Sequence, residues 1–581
     1  YFFTIAKDGL GNEIWKCDST LTNPVLLKDI NPGQASSDAY ISGAVKYNGK
    51  LYFFARTEMN GLELWQTDGT EAGTILFYES VPGAWSLSYL SIGVTNHTTP
   101  QLYFVRNDTG SYVSIYTYNY QARGIKKVYS EKKVVSVYSF GNKFLFYKGE
   151  PSSDYGEPWV TDGTPAGTFM LKEIDTIGTG TYNGSNSITS NSYNYFMSNI
   201  GGAVMFAADD RVNGRCLWRT DGTTAGTYLI KDFSYGTASG LENNITNIYT
   251  TLPNGNMMFA AKDTSYNSEP WITDGTTAGT FKLTEINPGI KSGLLYNVLS
   301  NSKHFNNQVF FGGYTDSLGY NPYVTDGTTA GTQLVSDLIS GNSSLYFSFE
   351  DTLSNGIMMV AKDSVGTIKI FITDGTTVGT QLLGTYPLMG TYKPTFLKLG
   401  KVNGKVLYTI AYNVSSSGLY NQSFFAQSQT AYFTDGTIAG TVPANINFNF
   451  SLQASSTPKA LIKFNNEWYF AANDGKTGYE IWKTDGTVGG TYLFKDLCKS
   501  NAGNGFNSER FIELNGALFF IGSNDSSGTR KLLKFNGGSS SGFSVIDPSA
   551  PGSSIQTLYK SGNFLFYGKG EPVIGNEPWI S

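Results

Sequence analysis

Cysteine, histidine and charge are all scarce in this chain. Three cysteines in 581 residues, Cys17, Cys216 and Cys498, are too few and too scattered for a disulfide scaffold or a zinc knuckle. Stability therefore has to come from packing. One pair can still bridge in a secreted protein, leaving an odd thiol, and the sequence does not say which pair. The two histidines, His97 and His304, sit beside no nucleophile and no second metal ligand, which argues against Ser-His-Asp and His-metal chemistry. Charged residues make up only 15%, with a net charge of -5 and a pI near 5.4. Such a balance gives nucleic acid no basic face to bind, and no nucleic-acid partner is expected. The single basic cluster, Lys126, Lys127, Lys132 and Lys133, reads as a solvated strand edge that discourages edge-to-edge pairing. Apolar runs are short as well. The longest, around Gly202 to Ala208 and Ala517 to Ile521, are strand-sized and fall far below the roughly 20 residues of a membrane span. Helix-period stretches are missing, which excludes parallel α/β repeats such as leucine-rich horseshoes.

What is abundant is repetition. The phrase WQTDGTEAGT, Trp65 to Thr74, recurs with an aromatic head at Trp159, Trp218, Trp271, Tyr323, Phe371, Tyr432 and Trp482. Decayed copies start at Trp15, Tyr116 and Leu533, and EPWIS, with Trp579, ends the chain. Heads lie roughly 43 to 61 residues apart, a period that belongs to repeat architectures. Aromatics are 15% of the composition, as suits strands.

Residues 40–80 show the grammar of one unit. Ile41 to Tyr47 reads as a strand, Asn48-Gly49 as a type I′ hairpin turn, and Leu51 to Ala55 (LYFFA) as a strand covered on both faces. Leu62 to Thr67 is the third strand, and Thr74 to Glu79 the fourth. Between the last two, the turn aspartate accepts backbone N–H groups, Gly supplies positive φ, and Thr hydroxyls tie the flanking carbonyls. The equivalent aspartates are Asp68, Asp162, Asp221, Asp274, Asp326, Asp374, Asp435 and Asp485. Eight copies cannot all be catalytic, so turn capping explains them. The head aromatics are expected to fill the space between neighbouring sheets. Four antiparallel strands in about 50 residues make one propeller blade, and the expected fold is all-β, a tandem β-propeller of about twelve such repeats. One ring is placed over residues 1–300 and a second, with incomplete ends, over 301–581.

Gly61-Leu62-Glu63-Leu64-Trp65-Gln66-Thr67-Asp68-Gly69-Thr70 with Ala72-Gly73-Thr74, and Tyr479-Glu480-Ile481-Trp482-Lys483-Thr484-Asp485-Gly486-Thr487, resemble the ELWxxDGT repeat of large secreted or surface proteins. Ile14-Trp15 and Leu217-Trp218 keep the strand and vary the Glu. The resemblance covers almost the whole chain. It implies extracellular or cell-surface placement and a propeller-like β fold, and it implies no catalytic activity. The turn is also similar to the structural Asp-box of sialidase-type propellers. The units headed by Tyr116 and Leu533 lack the DGT turn, which leaves their hairpin geometry open.

On these grounds the expected function is structural: a non-enzymatic building block of a surface filament, sheath or adhesive layer, partnering itself or other extracellular proteins. The alternatives are a lectin-like propeller that binds glycan or protein, and a carbohydrate-active enzyme using a non-repeat acid such as Glu242 or Glu350. No cofactor is required. Loops such as Asp8 to Glu13 and Asp474 to Glu480 carry acid, Gly and Glu in an order that suits Ca²⁺, against a solvated or salt-bridged alternative. Polar insertions at Thr176 to Ser198 and Asn413 to Thr430 are candidate binding loops. Sequons at Asn96, Asn107, Asn183, Asn244, Asn342, Asn413, Asn421, Asn449 and Asn524 permit N-glycosylation.

Overall fold

The computed structural model describes the chain outside residues 1, 8–10, 17–24, 34, 60, 80–88, 96–99, 109–111, 133, 150–155, 175–195, 211, 234–238, 242–248, 265–266, 295–297, 340–343, 390–392, 414–425, 448–457, 475, 499–504, 509, 525–528, 548–553, 562–563, 572–574 and 581. Among the described residues the strands form twelve antiparallel sheets, ten of four strands and two of three. Every sheet is a meander in which strands adjacent in sequence pair in order. The described residues hold no α-helix, and Val298–Asn301 is a 3-10 turn. The chain divides into two compact units whose sequence boundary falls between Ser300 and Asn301.

In the first unit, the sheet of Tyr40–Tyr47, Lys50–Thr57, Gly61–Thr67 and Ile75–Tyr78 shows why these residues form strands. Its first hairpin turns on Asn48 at φ 46° and Gly49 at φ 77°, the double positive φ that a type I′ turn requires and that Asn and Gly tolerate. The second strand is apolar on both faces because each face meets a different sheet. Phe53 and Ala55, with Trp65, pack on Ile14, Leu27 and Ile30 of the preceding repeat. Tyr52, with Leu64, packs on Leu102, Phe104 and Tyr116 of the following one. Alternation survives in geometry although hydropathy does not alternate.

The second unit repeats this arrangement. Met359, Ala361 and Phe371 face Phe310 and Val324, while Met358, Val360 and Ile370 face Val406 and Tyr408. Head aromatics occupy these inter-sheet layers. Trp15, Trp65, Trp218, Trp271, Tyr323, Phe371 and Trp482 are buried; Trp159 and Tyr432 are partly buried. Trp579 lies on the strand Gly575–Ile580.

Of the three decayed repeats, those headed by Tyr116 and Leu533 still complete four-stranded sheets. Tyr89–Val94, Leu102–Asp108, Tyr112–Asn119 and Gly124–Lys132 form one; Ile512–Leu514, Ala517–Gly522, Lys531–Phe535 and Phe543–Asp547 form the other. Their hairpins close without a DGT turn: Asn119 Oδ1 accepts the Gln121 and Ala122 N–H groups at 2.9 and 3.2 Å, the Asn536 N–H donates to Gly542 O at 3.2 Å, and aromatic stacking adds to both. Tyr116 stacks on Phe104 with centroids 5.0 Å apart, and Phe535 stacks on Phe543 at 4.4 Å.

Candidate functional site

The repeated residues build two devices, an exposed corner on eight sheets and a buried bracket on most of them; Lys369 and Thr430 stand at the bracket position of the Phe371 and Tyr432 repeats. At the corner, Asp68 Oδ1 accepts the Thr70 N–H at 2.9 Å and the Thr70 hydroxyl at 2.7 Å. Thr70 Oγ1 accepts the Gly73 N–H at 2.8 Å, and the Thr74 hydroxyl donates to Thr70 O at 2.7 Å. Each hydroxyl carries one proton, so the remaining 2.8 Å contact must run from Thr67 to Thr74, leaving Thr67 Oγ1 to accept the Gly69 N–H at 3.0 Å. The hydroxyl directions are fixed throughout. The same contacts recur at Asp162 and Asp221, at Asp274 and Asp326, and at Asp374, Asp435 and Asp485. The threonine hydroxyl, then its N–H, holds the Asp68 carboxyl below its ordinary range. The corresponding hydroxyl is also the main cause that lowers Asp162, Asp221 and Asp485. The second glycine is a matter of space. A Cβ on Gly73 would lie 2.0 Å from Asp68 Oδ1.

Six of the eight corners also latch their sheet to the preceding one. Lys16 and Lys126 donate to the Gly69 and Gly163 carbonyls. Lys143 reaches Gly222 O at 3.1 Å and Arg219 reaches Gly275 O at 3.1 Å. In the second unit, Asn355 Nδ2 donates to Gly436 O at 2.8 Å and Asn403 Nδ2 to Asp485 O at 3.1 Å. Lys126 is thus a latch on its edge strand, a role its place in a basic cluster did not reveal.

The bracket is the glutamate two residues before the head aromatic. Glu13, Glu63, Glu269 and Glu480 are essentially without solvent exposure, which corrects the solvated-loop expectation for Glu13 and Glu480. Glu13 accepts the Ile30 N–H at 2.8 Å and the Ser37 N–H at 3.0 Å. Glu269 accepts those of Ile286, Asn287 and Gly293 at 2.8, 3.2 and 3.1 Å. Glu480 accepts those of Leu497 at 2.7 Å and Gly505 at 3.0 Å. Glu157 reaches Ile174 N at 2.8 Å, and Asn321 Oδ1 reaches Leu338 N at 3.0 Å. Each bracket fastens the segment that leads to the next sheet, whose N–H groups have no ladder to join. Burial raises the Glu13 carboxyl and pushes Glu269 up to about 7 and Glu480 to about 8, against the lowering effect of the N–H bonds. The sequence signal for this device is an acid before the aromatic followed by Gly some two dozen residues on. A Cβ on Gly505 would lie 2.2 Å from Glu480 Oε2.

Among the described residues no group of three or more His, Cys, Asp or Glu side chains is placed to hold a metal ion. His304 is exposed on the short strand Lys303–Phe305, and His97 and Glu242 lie outside the described residues. Glu350 accepts the Ser348 hydroxyl, and its neighbour Asp351 is ion-paired with Lys398 at 3.2 Å and Lys401 at 2.7 Å. Asp474 caps its own turn, taking the Lys476 and Thr477 N–H groups at 2.9 and 2.8 Å, while Asp8 is not among the described residues. Cys216 and Cys498 are buried and form no disulfide; Cys17 falls outside the described residues. Most of both polar insertions, and Asn96, Asn183, Asn244, Asn342, Asn421 and Asn449, also fall outside. Asn107 and Asn413 lie on the strands Leu102–Asp108 and Lys405–Asn413. Asn524 is exposed, with Oδ1 accepting from Lys531 Nζ at 2.9 Å. No helix of the described residues is long and apolar enough to cross a membrane.

No family model matches the chain, and no curated protein matches it. Among solved structures it is similar to a prolyl endopeptidase, with TM-score 0.29 and 11% identity over 66% of this chain and 55% of that one. It is also similar to the Pyrococcus horikoshii acylaminoacyl peptidase, with TM-score 0.23 and 13% identity over 66% and 59%. Saccharomyces cerevisiae Sqt1 matches with TM-score 0.24 and 11% identity over 65% and 94%. The chain spans just over half the length of the peptidases it matches. Peptidases and a puromycin hydrolase among these structures run against the expectation of a non-enzymatic filament or sheath subunit, and that expectation is withdrawn. Likeness at this level carries no reaction over to this chain.

Proposed function

We propose that this chain is a recognition scaffold, a secreted or surface β-propeller repeat protein of the ELWxxDGT type whose sheets close into two rings of blades. Its ligand is an extended polypeptide bearing apolar side chains. One observation carries the assignment. The corner is the same at eight positions, yet its solvent-exposed tips differ: Glu71 and Pro165 in the first unit, and Val378, Ile438 and Val488 on three successive sheets of the second. Val378 is 91% and Ile438 62% exposed. Apolar tips on a frame that needs no side chain there mark a surface for contact rather than for folding. Repeat-built scaffolds concentrate specificity at such variable positions.

Incubating the full chain with an immobilised peptide library tests this. Saturable capture of apolar peptides is expected, lost when Val378, Ile438 and Val488 are together changed to Ser, with the melting temperature unchanged. Capture that survives the triple change overturns the assignment. Mass spectrometry of the same pool reads cleavage, and turnover would move the function from recognition to hydrolysis.

A further inference from the structure

In seven repeats a second acid follows the bracket position at the same interval: Asp29 after Glu13, Glu79 after Glu63, Glu173 after Glu157, Asp232 after Cys216, Glu285 after Glu269, Asp337 after Asn321 and Asp496 after Glu480; Glu79 and Glu173 are exposed to water. Where the bracket is not Glu, a donor group stands near this acid. Asn321 Nδ2 donates to Leu318 O at 3.0 Å and lies 3.5 Å from Asp337 Oδ1, and the Cys216 thiol, 3.2 Å from Asn213 O, lies 3.9 Å from Asp232 Oδ1. Where the bracket is Glu, the pair offers only oxygens when ionised. Asp29 Oδ1 and Asp496 Oδ1 are shielded from solvent and have no hydrogen-bond partner among the described residues. Buried oxygens in that state are costly without a positive partner.

The Glu269 repeat shows the shape of the missing partner. Asn267 is wholly buried, and its Nδ2 faces three oxygens: Glu285 Oε1 at 2.9 Å, Asn287 O at 3.2 Å and Glu269 Oε1 at 3.4 Å. Two N–H bonds cannot serve three acceptors, and Asn267 Oδ1 has no partner. Amide oxygen and nitrogen are interchangeable by rotation of the group. With the oxygen turned inward, it would stand 2.9, 3.2 and 3.4 Å from the other three oxygens, separations that suit neighbouring ligands of an ion held at about 2.3–2.6 Å. The local charge suits a divalent ion. Lys282 pairs with Glu285 and, at 2.7 Å, with Asp263, so that Glu269, Glu285 and Asp263 together with Lys282 leave an excess of two negative charges when the carboxyls are ionised.

We propose that the glutamate bracket is a divalent-cation site of the Ca²⁺ class. Glu269, Glu285, Asn267 Oδ1 and Asn287 O form it in one repeat, and the Glu13–Asp29 and Glu480–Asp496 pairs form its counterparts. The Asn321 and Cys216 repeats carry their own donor and take no ion. The site differs from the acid-Gly-Glu loops of the sequence, since Asp474 is spent on its own turn and Glu480 points inward. It stands independently of the recognition surface.

The full chain, stripped with EDTA, is titrated with Tb³⁺ and followed by indole-sensitised luminescence; Trp271 is two residues from Glu269. Ca²⁺ is titrated by calorimetry and by thermal unfolding. Sensitised emission that Ca²⁺ displaces is expected, with a rise in melting temperature of a few degrees at saturation. Asn267→Asp adds a charged ligand and should tighten the affected site by about tenfold. Asp29→Asn, Glu285→Gln and Asp496→Asn combined should abolish the response. A chain that does not respond to millimolar Ca²⁺ overturns the proposal and leaves a shared proton as the partner of each acid pair. Unchanged affinity in Asn267→Asp, or a full response in the triple variant, overturns it equally.

Discussion

Corner and bracket do the same job with opposite physics. Glu480 and Asp485 lie five residues apart on one repeat, and both carboxylates collect backbone N–H groups that no strand ladder serves. Asp485 is exposed and its threonine hydroxyl lowers its pKa, whereas Glu480 is sealed in and burial raises it to about 8. Water can replace what the corner loses. It cannot reach the bracket, so the same type of bond is worth more there.

That contrast orders the expected effects of substitution. The largest belongs to Glu480→Ala, which strands the Leu497 and Gly505 N–H groups without solvent. It should cost about 3 kcal/mol or more, read by denaturant titration, with Glu480→Gln recovering part because one acceptor remains. Gly279→Ala comes next. Its Cβ would lie 2.1 Å from the Asp274 carboxylate, and the forced shift should cost about 1–3 kcal/mol. Asp274→Ala at the exposed corner should cost only about 1 kcal/mol, like the loss of a helix cap. Combining it with Gly279→Ala sharpens the comparison. Removing the carboxylate removes the clash, so the double variant should be markedly less destabilised than the sum, as a double-mutant cycle measures.

The smallest effect is pH-dependent. A carboxyl depressed in the folded state contributes stability above its unfolded pKa and loses it as pH falls through the folded one. For Asp485 that window lies below about pH 4. Thr487→Val removes the hydroxyl that causes the shift. Its melting temperature should therefore trail the unaltered chain at pH 7 by more than it does at pH 2.5. A gap that does not change with pH would show that the hydroxyl acts only through its neutral bonds.

Much of the fold is legible because its causes are local. Asn48-Gly49 fixes a hairpin through its own φ angles, and Thr67 to Thr74 satisfies its own donors and acceptors within eight residues. The bracket is not legible in the same way. Glu269 works on Ile286 and Gly293, far along the chain, and nothing beside Glu269 distinguishes a buried acceptor from a solvated acid. The corner latches escape for the same reason: Lys16 and Gly69 meet only because sheets stack. Function was read least well. Repetition and composition pointed to a filament, a role that depends on contacts between chains, and these leave no local signature.

By itself the sequence determined the strands, the order in which they pair and the closed chemistry of the corner, since each rests on dihedral preference or on bonds spanning a few residues. Tertiary structure alone decided that Glu13, Glu269 and Glu480 turn inward and that Asp29, Glu285 and Asp496 come to stand beside them. Those positions follow from packing between distant segments, where burial reverses the ordinary preference of a carboxylate for water.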